Sequence, residues 1–127
     1  MDNTRIAGGV VLVTGASTGI GRGIAEAAVR HGARVVILCA RRDMTALADR
    51  LRARGASEVV PMCVDLTSEP AVAALVAQVR ERWGSPDVIA LSSASGGLQC
   101  VEETSTRDFV AAMEACEIGR ASCRERV

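Results

Sequence analysis

Eleven residues, VLVTGASTGIG from Val11 to Gly21, limit what this chain can fold into more than any others. A short apolar, β-branched run leads into three glycines spaced Gly15-x-x-x-Gly19-x-Gly21, and a helical pattern follows. Strand, tight turn and helix N-terminus in that order bring backbone N–H groups to where they can meet a pyrophosphate. Ser17 and Thr18 add hydroxyls within the turn, and Ile20 lies between the last two glycines. Glycines punctuate many loops, so such a turn alone is a weak signal. Its context is what the chemistry demands: a strand before, a helix after, and a second strand ending about 20 residues beyond Gly21. The alternative is a strand-to-helix turn with no ligand.

The rest of the chain repeats the same alternation. Val10–Thr14 reads as a buried strand and Ile20–His31 as a helix, with Ile20, Ile24, Ala27, Ala28 and His31 on its inner face and Gly32 at its C′ position. Arg34–Ala40 is apolar through Val35-Val36-Ile37-Leu38, the pattern of a strand covered on both faces. Asp43–Arg54 follows as a helix, with Asp43 as N-cap, Leu47 and Leu51 inward and Gly55 as its stop. Glu58–Val64 is a third strand, and Pro61 suits it to a sheet edge. Thr67 or Ser68 caps a helix that has Glu69-Pro70 in its first turn, Val72, Leu75, Val76 and Val79 at helical spacing, and Gly84 after its end. Asp87–Leu91 is a fourth strand, residues 92–105 a loop, and residues 106–116 a last amphipathic helix. Such alternation predicts a parallel sheet with helical crossovers. The expected class is α/β: a Rossmann-type three-layer α/β/α sheet, cut off after about its fourth strand and the following helix.

Composition removes several function classes. The 127 residues carry 15 basic and 15 acidic side chains, so nothing in the net charge favours nucleic acid or an anionic membrane. No apolar run approaches the ~20 residues of a membrane span. The segment MDNTRIAGG has none of the features of a secretory leader, and the expected location is cytoplasmic. Cys39, Cys63, Cys100, Cys116 and Cys123 form no C-x-x-C pair, and His31 has no partner at metal-ligand spacing. The thiols are expected to be structural, with Cys39 and Cys63 packed inside strands, and no metal site is expected.

Twenty positions past Gly21 stands Arg41, followed by Arg42. An acidic residue there binds the ribose 2′-OH of NAD, whereas an Arg accommodates the 2′-phosphate of NADP. A guanidinium suits phosphate because its planar fork donates two parallel hydrogen bonds. NADP(H) is therefore expected over NAD(H), the alternative being two solvated arginines at a strand exit. Asp43 is nearby, but capping the next helix is its better role.

Three motifs together, TGASTGIG at 14–21, CARR at 39–42 and VDLT at 64–67, resemble the N-terminal half of the short-chain dehydrogenase/reductase family over residues 8–116. The resemblance implies that Asp65 contacts the adenine ring, with Leu66 beside it. Where the family carries Asn-Asn-Ala-Gly after the fourth strand, this chain has Ser-Ser-Ala-Ser at 92–95 and then Gly96-Gly97, and Ala94 aligns. The cofactor contacts expected from motif and resemblance are Gly15, Ser17, Thr18, Gly19, Ile20, Gly21, Arg41, Arg42, Asp65, Leu66 and Ala94. The glycine spacing argues against the related sugar-nucleotide epimerases.

The family's chemistry implies a Tyr whose pKa is lowered by a Lys four residues later, with a Ser polarising the substrate carbonyl. This sequence contains no Tyr, and all 15 of its basic residues are Arg, so no catalytic residue is assigned. A further family Asn aligns with Cys116. Residues 118–127 can be encoded by ATC GGA AGA GCG TCG TGT AGG GAA AGA GTG, a string that resembles a widely used short-read sequencing adapter. Residues 1–116 are accordingly expected to form the NADP-binding domain and 117–127 an artefactual tail. The chain so read is the cofactor-binding part of an oxidoreductase interconverting an alcohol and a carbonyl, itself inactive and poorly soluble or only partly folded. The parent would act on a small molecule and form a homo-oligomer. The competing function is a non-catalytic module that binds or senses the dinucleotide.

Overall fold

The structure, a computed structural model, describes residues 5–55, 58–92, 101–103, 105–111 and 113–114. Strand β1 (Val10–Thr14) leads to helix α1 (Gly19–Arg30), β2 (Val35–Ala40), α2 (Thr45–Ala53), β3 (Glu58–Cys63), α3 (Glu69–Trp83) and β4 (Val88–Leu91). A 3-10 turn at Val101–Glu103 and helical residues 106–111 and 113–114 complete what is described. The strands lie in the order β3-β2-β1-β4, every pair parallel. Ala94, Cys100, Cys116 and the expected tail lie outside the described residues.

Alternation along the strands sorts the core into two faces. Val11, Val13, Val36, Leu38 and Val59 pack with Ala25, Ala28 and Val29 of α1 and Leu47, Ala48 and Leu51 of α2. Val10, Leu12, Val35, Ile37 and Cys39 turn the other way, onto Val72, Leu75, Val76 and Val79 of α3. Both faces of β1 and β2 are thus covered, which is why these strands are apolar without interruption. Burying a Val, Leu or Ile completely is worth about 1.5–3 kcal/mol, so β2, with Val35, Val36, Ile37 and Leu38 fully enclosed, is the centre of the fold.

Most element boundaries fall where the sequence predicts. Pro61 lies on β3, at a sheet edge, opposite Leu38. Ser68, rather than Thr67, caps α3: its Oγ accepts from the Ala71 N–H at 3.3 Å, with Pro70 in the first turn. Four expectations need correction. Helix α1 buries Gly21, Ala25, Ala28 and Val29, while Ile20 is 78% exposed and Ile24 only partly covered. His31 is an exposed C-cap rather than part of the inner face. Asp43 sits one residue before the N-cap of α2, which is Met44, because the 3%-exposed Met44 side chain anchors the turn in the core. Cys63 is exposed at the end of β3, whereas Cys39 is buried in β2 as expected.

Candidate functional site

All four strands being parallel, their C-terminal ends lie along one edge of the sheet. The chain runs outward from β1 through β2 to β3, then returns past them to place β4 on the other side of β1. In open parallel sheets the strand ends at such a reversal, here between β1 and β4, are the usual ligand position.

The glycine turn sits at the end of β1. Gly15 and Gly19 have φ of +65° and +59°, the left-handed region that side-chain-bearing residues seldom adopt. Gly21 answers a different need, close approach: a Cβ there would lie 2.1 Å from the carbonyl oxygen of Gly15. Helix α1 can start tight against the turn only because this position has no side chain. The same contact turns the Gly21 face inward and sends Ile20 outward, which explains the rotation of the helix from its expected face. The Ala16 N–H donates to the Cys39 carbonyl at 3.3 Å, tying the turn to β2.

The N-terminus of α1 is open to a ligand. Thr18 is its N-cap, in extended conformation, and its side chain makes no capping hydrogen bond. No acidic residue occupies the first turn. The first-turn N–H groups of a helix have no partner within it, and the helix dipole concentrates positive potential at that end. Ser17 is half-buried and Thr18 and Gly19 are exposed, so hydroxyls and N–H groups lie together just past β1.

Thr14, in sequence an ordinary strand residue, joins β1 to the end of β4. Although wholly buried, it donates from Oγ1 to the Ala90 carbonyl at 3.4 Å and accepts from the Ser92 N–H at 3.0 Å. Its hydroxyl therefore fixes where β4 ends and where the following loop leaves the sheet. A Thr amid Val and Leu at the last position of a buried strand was the available signal.

At the end of β2, Arg41 and Arg42 are both exposed. Asp43 beside them is already engaged: its Oδ1 accepts from the Thr45 N–H at 3.0 Å and from the Thr45 hydroxyl at 2.6 Å, which hold its carboxyl below the ordinary value of 3.8. Asp65 after β3 repeats the arrangement with Thr67, at 3.0 Å and 2.7 Å. The hydroxyl and N–H of Thr67 lower its carboxyl, with the positive charge of Arg41 adding to them. In both turns the residue after the Asp, Met44 or Leu66, is buried in the core. Leu66 therefore stands beside the site with its side chain turned into the sheet packing, leaving its backbone for any ligand contact.

Gly15, Ser17, Thr18, Gly19, Ile20 and Gly21 are thus together at the end of β1, Arg41 and Arg42 at the neighbouring end of β2, and Asp65 and Leu66 beyond the end of β3. Among the described residues no three His, Cys, Asp or Glu side chains are grouped so that they could hold a metal ion, and no helix is long and apolar enough to cross a membrane.

Comparison with known proteins gives consistent matches. The family described as short chain dehydrogenase matches residues 9–122. The L-fucose dehydrogenase of Oryctolagus cuniculus is 40% identical over 91% of this chain and 39% of its own length. The sorbitol dehydrogenase of Cereibacter sphaeroides is 34% identical over 83% of this chain and 40% of its own length. The chain thus spans about 40% of the length of these curated relatives. Among solved structures, the alcohol dehydrogenase from the archaeon Thermococcus sibiricus, complexed with 5-hydroxy-NADP, superposes with a TM-score of 0.83 at 30% identity, covering 93% of this chain and 51% of the other.

Proposed function

The chain belongs to the short chain dehydrogenase family, and on that premise we propose that it forms the cofactor-binding half of an NADP(H)-dependent oxidoreductase that interconverts an alcohol and a carbonyl. The nicotinamide supplies or takes up hydride when bound. The open N-terminus of α1 receives the pyrophosphate, with the backbone N–H groups after Thr18 as donors and Ser17 and Thr18 as flanking hydroxyls. Ile20, exposed beside the glycine turn, gives the cofactor an apolar surface. Asp65 and the backbone of Leu66 border the adenine end; Ala94, which follows β4 in the sequence, is the remaining expected contact.

What most favours NADP(H) is the pair of exposed arginines at the end of β2, with the one nearby carboxylate of that turn, Asp43, engaged by Thr45. A guanidinium on the 2′-phosphate adds a charge-assisted hydrogen bond that NAD(H) cannot make. The test is calorimetric titration of Arg41→Asp with NADP+ and NAD+. Such bonds are worth roughly 1.5–3 kcal/mol, so the NADP+/NAD+ affinity ratio should fall by about 10- to 100-fold. An unchanged ratio would sink the assignment.

A proton-relay Tyr and its partner Lys are not in this sequence. We therefore propose that the 127-residue chain binds cofactor without turning over substrate. NADPH-dependent reduction of a carbonyl compound by this chain would refute that. The same absence keeps a second reading alive, a dinucleotide-sensing module in which binding itself is the output.

A further inference from the structure

We propose that Cys63 is a positioning residue for Arg41, so that selectivity for the 2′-phosphate depends on the end of β3 as well as the end of β2. The inference rests on the NADP(H) reading above and deepens it. The β2–β3 register closes on the pair Ala40 and Cys63, and the Val64 N–H then donates to the Ala40 carbonyl at 2.9 Å. One residue further along β2 the Cys63 thiol takes over, its Sγ donating to the Arg41 carbonyl at 3.1 Å. Cys63 is exposed, Val64 buried and Asp65 exposed, so the thiol and the carboxylate both stand outside the core. The Arg41 charge adds a lesser influence to the lowering of the Asp65 carboxyl, behind the hydroxyl and N–H of Thr67.

Arg41 is thus held at its backbone by a thiol that the neighbouring strand end supplies. Arginine carries substantial rotamer entropy, and its fork is most effective when little of that freedom must be lost on binding. Fixing the Arg41 carbonyl fixes the direction in which the side chain leaves the sheet. The thiol need not touch the cofactor; it acts through Arg41. NADP and NAD differ only in the 2′-phosphate, so a group acting this way changes one affinity and spares the other. An incidental surface contact would change neither.

The experiment is calorimetric titration of the 127-residue chain with NADP+ and with NAD+, for the unaltered sequence, Cys63→Ala, Cys63→Ser and Arg41→Ala. A thiol is a weak donor, so Cys63→Ala should lower NADP+ affinity about threefold and leave NAD+ affinity as it was. Cys63→Ser, which keeps a donor, should restore NADP+ binding. Thermal melts by circular dichroism accompany each variant; should Cys63→Ala be unfolded at the titration temperature, Cys63→Val makes the same deletion with a strand-favouring side chain. Equal loss for both nucleotides, no loss for either, or failure of serine to rescue overturns the role of Cys63. An Arg41→Ala ratio equal to that of the unaltered chain, or no binding of either nucleotide, overturns the 2′-phosphate reading on which it rests.

Discussion

Replacing Gly21 with Ala should be among the most damaging single-methyl additions this chain can receive. The new Cβ would lie 2.1 Å from the Gly15 carbonyl oxygen and 2.6 Å from its carbon, while real Cβ atoms essentially never approach closer than 3.0 Å. The obstructing atoms are backbone, in a turn bonded to Cys39, so no side chain can swing aside. Relief requires α1 to lift by about 1 Å, which strips packing from Ala25, Ala28 and Val29 against the sheet. Overpacking of this kind costs about 1–3 kcal/mol, and the unyielding backbone places Gly21→Ala at the upper end, about 3 kcal/mol. Gly23, two residues along the same helix, is the internal control. A Cβ there meets nothing within 4 Å and its φ is ordinary, so Gly23→Ala should stabilise by about 0.5–1 kcal/mol through helix propensity. Urea unfolding followed by far-ultraviolet circular dichroism, with Trp83 fluorescence as a second probe, measures both. Equal effects of the two substitutions, or a Gly21→Ala chain as stable as the original, would refute the close-approach account. The displaced helix should also bind dinucleotide more weakly, since its N–H groups move with it.

Thr14→Val keeps the shape of a fully buried side chain but leaves the Ser92 N–H without its hydroxyl acceptor, which should cost about 1–3 kcal/mol in urea unfolding. Hydrogen exchange at Ser92 should accelerate, and an unchanged rate would show that Thr14 does not hold the loop start. Asp43 and Asp65 both titrate below 3.8 because threonine donors favour the ionised form. A carboxylate with a depressed folded pKa contributes stability above its unfolded value and loses it as pH falls through the folded one, so these contributions are present above about pH 4 and vanish on further acidification. They are small, since both groups are exposed to solvent. In a carbon-13 NMR titration Thr67→Val should move Asp65 up toward 3.8 and leave Asp43 in place; an unmoved Asp65 would show the hydroxyl is not the cause.

How much of this was legible beforehand depended on whether the deciding contact was local. The strand-turn-helix at Val11–Gly21, the doubly covered β2, the edge position of Pro61 and the buried stripe Val72, Leu75, Val76 and Val79 all follow from period, propensity and punctuation along the chain. Counting from Gly21 places Arg41 just past the end of β2, where the structure has it, because the βαβ unit has a nearly fixed length. The face of α1 is not legible this way: hydrophobicity points to Ile20, whereas backbone contact at Gly21 sets the rotation. In sequence Cys63 looks like an interior strand residue, since a strand's last pair resembles its others until the neighbouring strand ends. Asp43 read as a cap one residue off because burial of Met44 shifts where α2 begins.

By itself, then, the sequence determined the class of fold, the strand, glycine turn and helix at Val11–Gly21, and a composition without Tyr or Lys. These depend on residue identity and on spacing within one βαβ unit. Tertiary structure alone decided that the ends of β1 and β4 are joined by the Thr14 hydroxyl, and that the Arg41 carbonyl meets the Cys63 thiol 22 positions away. Parallel pairing makes neighbours of residues separated by a whole crossover helix, and periodicity along a chain carries no record of which strand will lie beside which.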